Sequence, residues 1–160
     1  MAQDQQGLSQ RELHAWQAFF QMQEVLRGRI ERQLQACSGL STADYAVLAR
    51  LSEAPGGCLR AFELGAMLGW EKSRLHHQLT RMGKRGLVQR LAGDSRASHA
   101  KITAQGLAAL AEAAPRHSQQ VRDLVINRLS PGQIDQLAGI STAILTGLQQ
   151  DQGTSDACRQ

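Results

Sequence analysis

The chain of 160 residues carries a formal net charge of +4, and its low aromatic content of 4% favours a helical protein built on Leu and Ala. This length suits one domain, or one domain with an extension used for assembly, and a chain of this length needs no disulfide or metal cross-link for stability. Its three cysteines stand at wide spacings, which argues against a disulfide framework or a zinc cluster. Because no apolar run approaches the length of a membrane span or signal sequence, we expect a cytoplasmic protein with no membrane partner. We also expect no metal and no cofactor.

Positive charge is concentrated in the middle of the chain. The stretch from Arg60 to Lys101 contains nine basic and three acidic residues, a balance of +6, so the remainder of the +4 chain carries −2. A cationic segment between nearly neutral flanks is typical of a module that contacts nucleic acid or another polyanion.

Apolar residues recur at helical spacing over residues 8–36 and predict one long amphipathic helix. Its apolar stripe is longer than a small domain usually covers, so we expect part of this helix to meet a second subunit. Gly39 ends the helix, and Ser41 or Thr42 caps the next one. That second helix ends at the turn EAPGG (53–57).

Residues 60–85 meet the requirements of a helix–turn–helix. A short apolar helix from Phe62 to Leu68 is closed by the turn at Gly69 and Trp70, and a two-faced helix follows. On a helical wheel this second helix separates into an apolar face of Leu75, Leu79 and Met82 and a polar face of Ser73, His77, Thr80, Arg81 and Lys84. A helix that exposes hydrogen-bonding side chains over one face fits the roughly 12 Å major groove of DNA.

A β-hairpin is predicted directly after this helix. LVQRL (87–91) and HAKI (99–102) have the character of short strands, and AGDSRAS (92–98) forms the turn between them. Such a hairpin makes a wing, and Arg96 near its tip is placed to enter a narrow minor groove.

Two further helices are expected after the hairpin. Thr103 caps the first, which Pro115 is predicted to bend or interrupt. Ser130 and Pro131 supply a cap and a first-turn proline for the last amphipathic helix. We expect the tail over residues 151–160 to be disordered.

The motifs together resemble the MarR family, the winged helix–turn–helix regulators named for multiple-antibiotic resistance. LGWEKSRLHHQLTRMGKRGLV (68–88) resembles the family's recognition helix and the glycine after it. DSRASHAKIT (94–103) is similar to the wing signature, in which Asp and then Arg close on a hydrophobic residue and Thr. The chain departs from the family pattern in its short wing and at Glu71, where the family often has Ser.

The resemblance covers nearly the whole chain and implies a mainly α, winged-helix fold whose N- and C-terminal helices form a dimerisation domain. The expected division is a dimerisation helix (1–38), a winged helix–turn–helix DNA-binding domain (39–103), C-terminal dimerisation helices (104–150) and a tail (151–160). It also implies a homodimer that binds a pseudo-palindromic operator in double-stranded DNA. Regulators of this kind are usually repressors released by a small ligand, often an aromatic acid or a phenol.

Candidate site residues follow from position in these elements. Base edges are assigned to four residues in the first two turns of the recognition helix: Ser73, Arg74, His77 and Gln78. Phosphate contacts are assigned to Arg60, Lys72, Arg81 and Lys84. The wing signature implies Arg96 in the minor groove with Asp94 orienting it. The ligand pocket is assigned to Trp16, Phe20, Tyr45 and His117.

By motif and spacing, the sequence carries the features of neither a metal site nor an enzyme. His76 and His77 are adjacent on a helix and do not converge on a metal ion. The sequence contains no Walker loop, Rossmann glycine fingerprint, HExxH or GxSxG motif, so we expect no enzyme and no catalytic residues. Two alternatives remain open: an oxidant-sensing regulator of the same fold that uses Cys37, and a winged-helix protein-interaction module without sequence-specific DNA binding.

Overall fold

The structure is a computed structural model that describes residues 7–92 and 98–157, with the side chains of residues 92 and 151–157 left aside. Its helices are α1 (Gln10–Ser38), α2 (Thr42–Glu53), α3 (Ala61–Leu68), α4 (Lys72–Lys84), α5 (Ala104–Leu124) and α6 (Pro131–Ala157). Its strands are β1 (Cys58–Arg60), β2 (Val88–Ala92) and β3 (Ser98–Ile102). The predicted mainly α, winged-helix fold is confirmed.

Helix α1 begins and ends where local chemistry predicts. Ser9 caps it in a capping box with Glu12, whose carboxylate accepts from the Ser9 backbone N–H at 2.8 Å. These bonds to Ser9 hold the pKa of Glu12 below its usual value. Gly39 ends the helix in the left-handed conformation, at φ 65°, which glycine adopts without steric cost. Of its 29 residues only Leu34 is buried.

The core lies where the apolar faces of α2, α3 and α4 meet the sheet. Its fully buried large side chains are Leu40, Val47, Leu48, Leu51, Leu64, Leu79 and Met82. The predicted apolar face of α4 is confirmed, since Leu75 is buried together with Leu79 and Met82. The predicted short helix is present as α3, which turns Leu64 toward the core and leaves Phe62 84% exposed.

The sheet has three antiparallel strands in the order β1-β3-β2. The pairing of β2 with β3, in which Arg90 faces Ala100, confirms the wing hairpin. Strand β1 was not predicted; it pairs with β3 on the other side, and Arg60 faces His99 there. Asp94 and Arg96 fall in 93–97, outside the described residues, so their predicted roles are not tested here.

The C-terminal half differs from expectation at two places. Thr103 caps α5 as predicted, since its Oγ1 accepts from the Gly106 N–H at 3.0 Å. Pro115 does not interrupt α5, because a proline removes one helical hydrogen bond and the flanking turns keep theirs. Residues 151–157 continue α6 as helix, which differs from the disorder expected for the tail.

The chain divides into two compact units, Met1–Ser118 and Gln119–Gln160. The first contains the core, the sheet and the helix–turn–helix, and the second is dominated by α6. A search of the described helices found none long and apolar enough to cross a bilayer.

Candidate nucleic-acid interface

The turn between α3 and α4 sets the direction of the second helix. Gly69 adopts φ 63° at the end of α3, and the Trp70 N–H donates to the Gly65 carbonyl at 2.9 Å. Gly65 is buried, and a side chain there would meet Trp70 O at 3.4 Å and Leu75 Cδ2 at 3.5 Å. Both distances are ordinary van der Waals contacts, so α3 and α4 are closely packed here and an alanine would also fit at this position.

The outward face of α4 is polar and basic. The predicted contact residues Lys72, Ser73, Arg74, His77, Arg81 and Lys84 are all exposed. Arg60, at the end of β1, is exposed too. Because this face holds hydrogen-bond donors and positive charge, it suits the floor and walls of a DNA groove.

The N-terminus of α4 has no side-chain cap. Glu71 occupies the N-cap position, but its side chain makes no capping hydrogen bond, and the first turn carries no acidic residue. Lys72 and Arg74 stand there instead, at the positive end of the helix dipole, where cations are unfavourable for folding. Backbone N–H groups without a side-chain cap are free to donate to a phosphate.

Gln78 does not belong to the reading face, so its assignment to base edges was wrong. It is only 3% exposed, and its Nε2 donates to Asp44 Oδ1 at 2.6 Å. Its Oε1 accepts a hydrogen bond from Arg81. On a helical wheel Gln78 lies about 40° from Met82, so the periodicity already placed it beside the buried face.

Asp44 is the centre of a network that sequence reasoning missed. This buried carboxylate accepts from Arg85 Nη1 at 2.7 Å and from the Ser41 N–H at 2.9 Å. Arg85 Nη2 donates in turn to the Gly39 carbonyl at 2.8 Å. The network thereby joins the recognition helix to the end of α1 and the start of α2.

Arg90 on β2 is a second residue that sequence reasoning did not assign. Its Nη1 lies 3.3 Å from His76 Nδ1 on α4, and its Nη2 donates to Ser98 Oγ on β3 at 3.3 Å. Arg90 thus links the wing to the recognition helix and extends the basic surface between them. His76 is exposed on this side of α4.

Solved structures of similar fold place these features in a known family. Sco3205, a MarR family transcriptional regulator from Streptomyces coelicolor solved in complex with DNA, is 32% identical to the chain. The match covers 89% of this chain and 91% of that one, with a TM-score of 0.87. The chain belongs to the MarR family.

Two further MarR-fold structures extend the comparison. AbsC, a MarR family regulator from Streptomyces coelicolor, is 33% identical over 90% of this chain and 98% of its own, with a TM-score of 0.85. The organohalide-sensing RdhR-CbdbA1625 matches over 92% of this chain and 89% of its own with a TM-score of 0.74, but at 18% identity it shows the fold alone. Neither a scan against protein-family models nor a search of curated proteins found a match.

The four residues assigned to the MarR ligand pocket lie in two separate pairs. Trp16 and Phe20 stack on α1 with ring centroids 5.8 Å apart, and are 54% and 53% exposed. Tyr45 on α2 and His117 on α5 are half-buried, with ring centroids 4.4 Å apart. No ring contact among the described residues joins the two pairs. A groove of about 500 Å³ on α1 and the start of α2 contains none of the four and is lined by Gln23, Glu24, Leu26, Arg27, Ile30 and Thr42.

The described part of the chain contains two free cysteines. Cys37 is half-buried in the last turn of α1 and Cys58 is half-buried on β1. A role for Cys37 in oxidant sensing stays a prediction. Across the described side chains of residues 7–91 and 98–150, no three His, Cys, Asp or Glu residues are grouped to hold a metal ion.

Neighbouring residues on α4 allow the two sides of the helix to be tested separately. We expect Gln78→Ala to lower the free energy of unfolding by about 1–3 kcal/mol, because it removes the hydrogen-bond partner of the buried Asp44 Oδ1 and that of Arg81. His77→Ala should change it by less than about 0.5 kcal/mol, since the side chain is exposed. Chemical denaturation measures both effects.

In DNA binding we expect the opposite result, a larger effect of His77→Ala than of Gln78→Ala on base preference. His77→Ala is expected to reduce the ratio of operator to random-DNA affinity, while Gln78→Ala keeps the base preferences of the wild type. A Gln78→Ala protein that is as stable as the wild type but has altered base preference would contradict the corrected assignment.

Proposed function

We propose that this MarR family regulator is a homodimeric repressor that binds a pseudo-palindromic operator through α4 and is released by a small aromatic ligand. The observation that carries the proposal is the exposed polar and basic face of α4 on a helix whose other face is buried. A DNA-binding relative that is 32% identical over most of both chains supports the same use of the fold.

The residues of this face divide by chemistry. Ser73, Arg74 and His77 are proposed to read base edges, because they are exposed in the first two turns of α4. The longer cations Lys72, Arg81, Lys84 and Arg60 are proposed to neutralise phosphates, which orients the protein without specifying sequence. Their contribution should appear as a steep fall of affinity with salt.

An exposed apolar stripe on α6 supports assembly as a homodimer. Leu137, Ile140, Ile144, Leu145 and Leu148 are all exposed and share one side of this helix. Helix α1 also exposes Trp16 and Phe20 on one side and Met22 and Val25 on the opposite side. An apolar stripe such as that of α6 marks an interaction site in a protein of this size. Two-fold pairing would also present two recognition helices, as a pseudo-palindromic operator requires.

Charge introduced into the stripe of α6 tests the dimer. We expect Ile140→Glu to shift the sedimenting species to monomer and to weaken operator binding by about tenfold or more, because it buries an unpaired carboxylate in the interface. Thr146→Glu, on the other side of the helical wheel, is the matched control and should sediment and bind as the wild type does. An Ile140→Glu protein that remains dimeric, or a wild type that sediments as a monomer, would contradict the proposal.

The ligand is proposed to bind at the Tyr45–His117 pair. Burial lowers the pKa of His117, so the ring is neutral at pH 7, and its Nδ1 is buried without a hydrogen-bond partner among the described residues. Two aromatic rings in tilted contact, with an unused ring nitrogen, suit an aromatic ligand that carries a hydroxyl or carboxyl group. RdhR-CbdbA1625 was solved in a form bound to 2,4-dichlorophenol, but that likeness extends to the fold alone.

Benzoate and phenol are suitable probes for this site. One of them should raise the thermal midpoint of the wild type and weaken operator binding, because a ligand shifts the equilibrium only by binding the two states differently. Tyr45→Leu should abolish both responses, while Phe20→Leu on the exposed face of α1 should keep them. If neither probe, nor a wider panel of aromatic acids and phenols, moves both quantities, the protein is a constitutive DNA binder.

A further inference from the structure

Trp70 stands at the corner between the two helices of the helix–turn–helix. It lies between Gly69, which ends α3, and Glu71, which is the N-cap of α4. Its backbone is held by the bond to the Gly65 carbonyl, and its half-buried side chain packs against the hydrophobic core. Trp70 and Leu75 occupy the two positions, before the cap and four residues into the helix, where apolar side chains fix the entry of a helix. The indole is therefore a fixed surface at the start of the recognition helix.

Arg74 lies over this surface. The guanidinium carbon of Arg74 is 4.5 Å from the centroid of the Trp70 ring, well inside the distance of about 6 Å over which a cation is attracted to an aromatic face. Helical side chains lean toward the N-terminus, so Arg74 in the first turn of α4 is directed back toward Trp70, just before the cap. A guanidinium stacked by its face keeps its N–H groups free at the edge.

Three other arginines of this region are engaged through their N–H groups. Arg81 donates to Gln78, Arg85 to Asp44, and Arg90 to Ser98. Among the described residues, Arg74 forms no ion pair with a carboxylate. Arg74 is thus exposed and lies over an aromatic face, without a carboxylate partner in the described part of the chain.

We propose that Trp70 is a positioning residue that sets the sequence specificity of the protein by holding the Arg74 guanidinium ready for a guanine. The two parallel N–H donors of an arginine match the N7 and O6 acceptors that guanine presents in the major groove. An arginine held in the reading orientation before binding loses less side-chain freedom on contact, so the correct base gains affinity. This inference rests on the proposed entry of α4 into the groove.

The stacking is tested first in the free protein, which separates it from DNA binding. Nuclear magnetic resonance should show the side-chain protons of Arg74 shifted upfield by the indole ring current in the full-length wild type. Trp70→Leu should remove that shift, and Trp70→Phe should reduce it. Arg74 resonances at their ordinary positions in the wild type would overturn the inference whatever the protein binds.

The consequence is then measured on DNA with the operator selected by the wild type and a random duplex at one salt concentration. Trp70→Leu should lower the operator-to-random ratio by about two- to tenfold, the factor expected when one long side chain is no longer pre-ordered. The loss should fall on a guanine in each half-site, and affinity for random DNA should stay unchanged. Trp70→Phe, the variant that best preserves the core, should show a smaller loss at the same base.

A double-mutant cycle separates positioning from general damage. In an Arg74→Ala background, Trp70→Phe should leave the operator-to-random ratio unchanged, because no guanidinium remains to be held. The role of Trp70 would be overturned if Trp70→Phe lowered the ratio further in the Arg74→Ala protein. It would also be overturned if, with Arg74 present, Trp70→Phe weakened binding to operator and to random DNA equally. A wild type with no operator preference would instead overturn the proposed function, and the inference with it.

Discussion

The presentation of the recognition helix depends on one buried charge. Asp44 is 3% exposed, and a carboxylate taken so far from water is tolerated only when its oxygens are bonded. Its partners are Gln78 and Arg85 on and just after α4, and Arg85 reaches back to the carbonyl of Gly39. These hydrogen bonds from α4 and the residue after it fix the position of α4 against the ends of α1 and α2.

That constraint divides α4 into three parts with separate tasks. The apolar face forms core with α2 and α3, the polar edge at Gln78 locks the helix in place, and the exposed face remains for DNA. Arg90 adds a contact from the wing through His76. A rigid support of this kind is what base reading needs, because a misplaced donor loses its directional hydrogen bond.

The sequence predicted the features that arise from local rules and missed those that arise from distant contacts. Gly39 ended α1 and Leu75, Leu79 and Met82 formed the buried face of α4, since capping and periodicity act within a few residues. Gln78 lies beside the buried face on the helical wheel, but its full burial depends on a bond to Asp44, 34 residues away, which periodicity does not predict. Strand β1 was missed because three residues carry no periodic signal, and its pairing with β3 closes a long loop.

The central claim is that two copies of the exposed face of α4 read DNA together, and selection of bound sequences from random duplexes by the full-length protein tests it most directly. The account predicts one enriched inverted repeat whose half-sites are centred about one helical turn, roughly 10 base pairs, or a multiple of it apart. Each half-site should contain a guanine that Arg74→Ala no longer selects. A pool without enrichment, or a single unrepeated site that Arg74→Ala selects unchanged, would contradict the account.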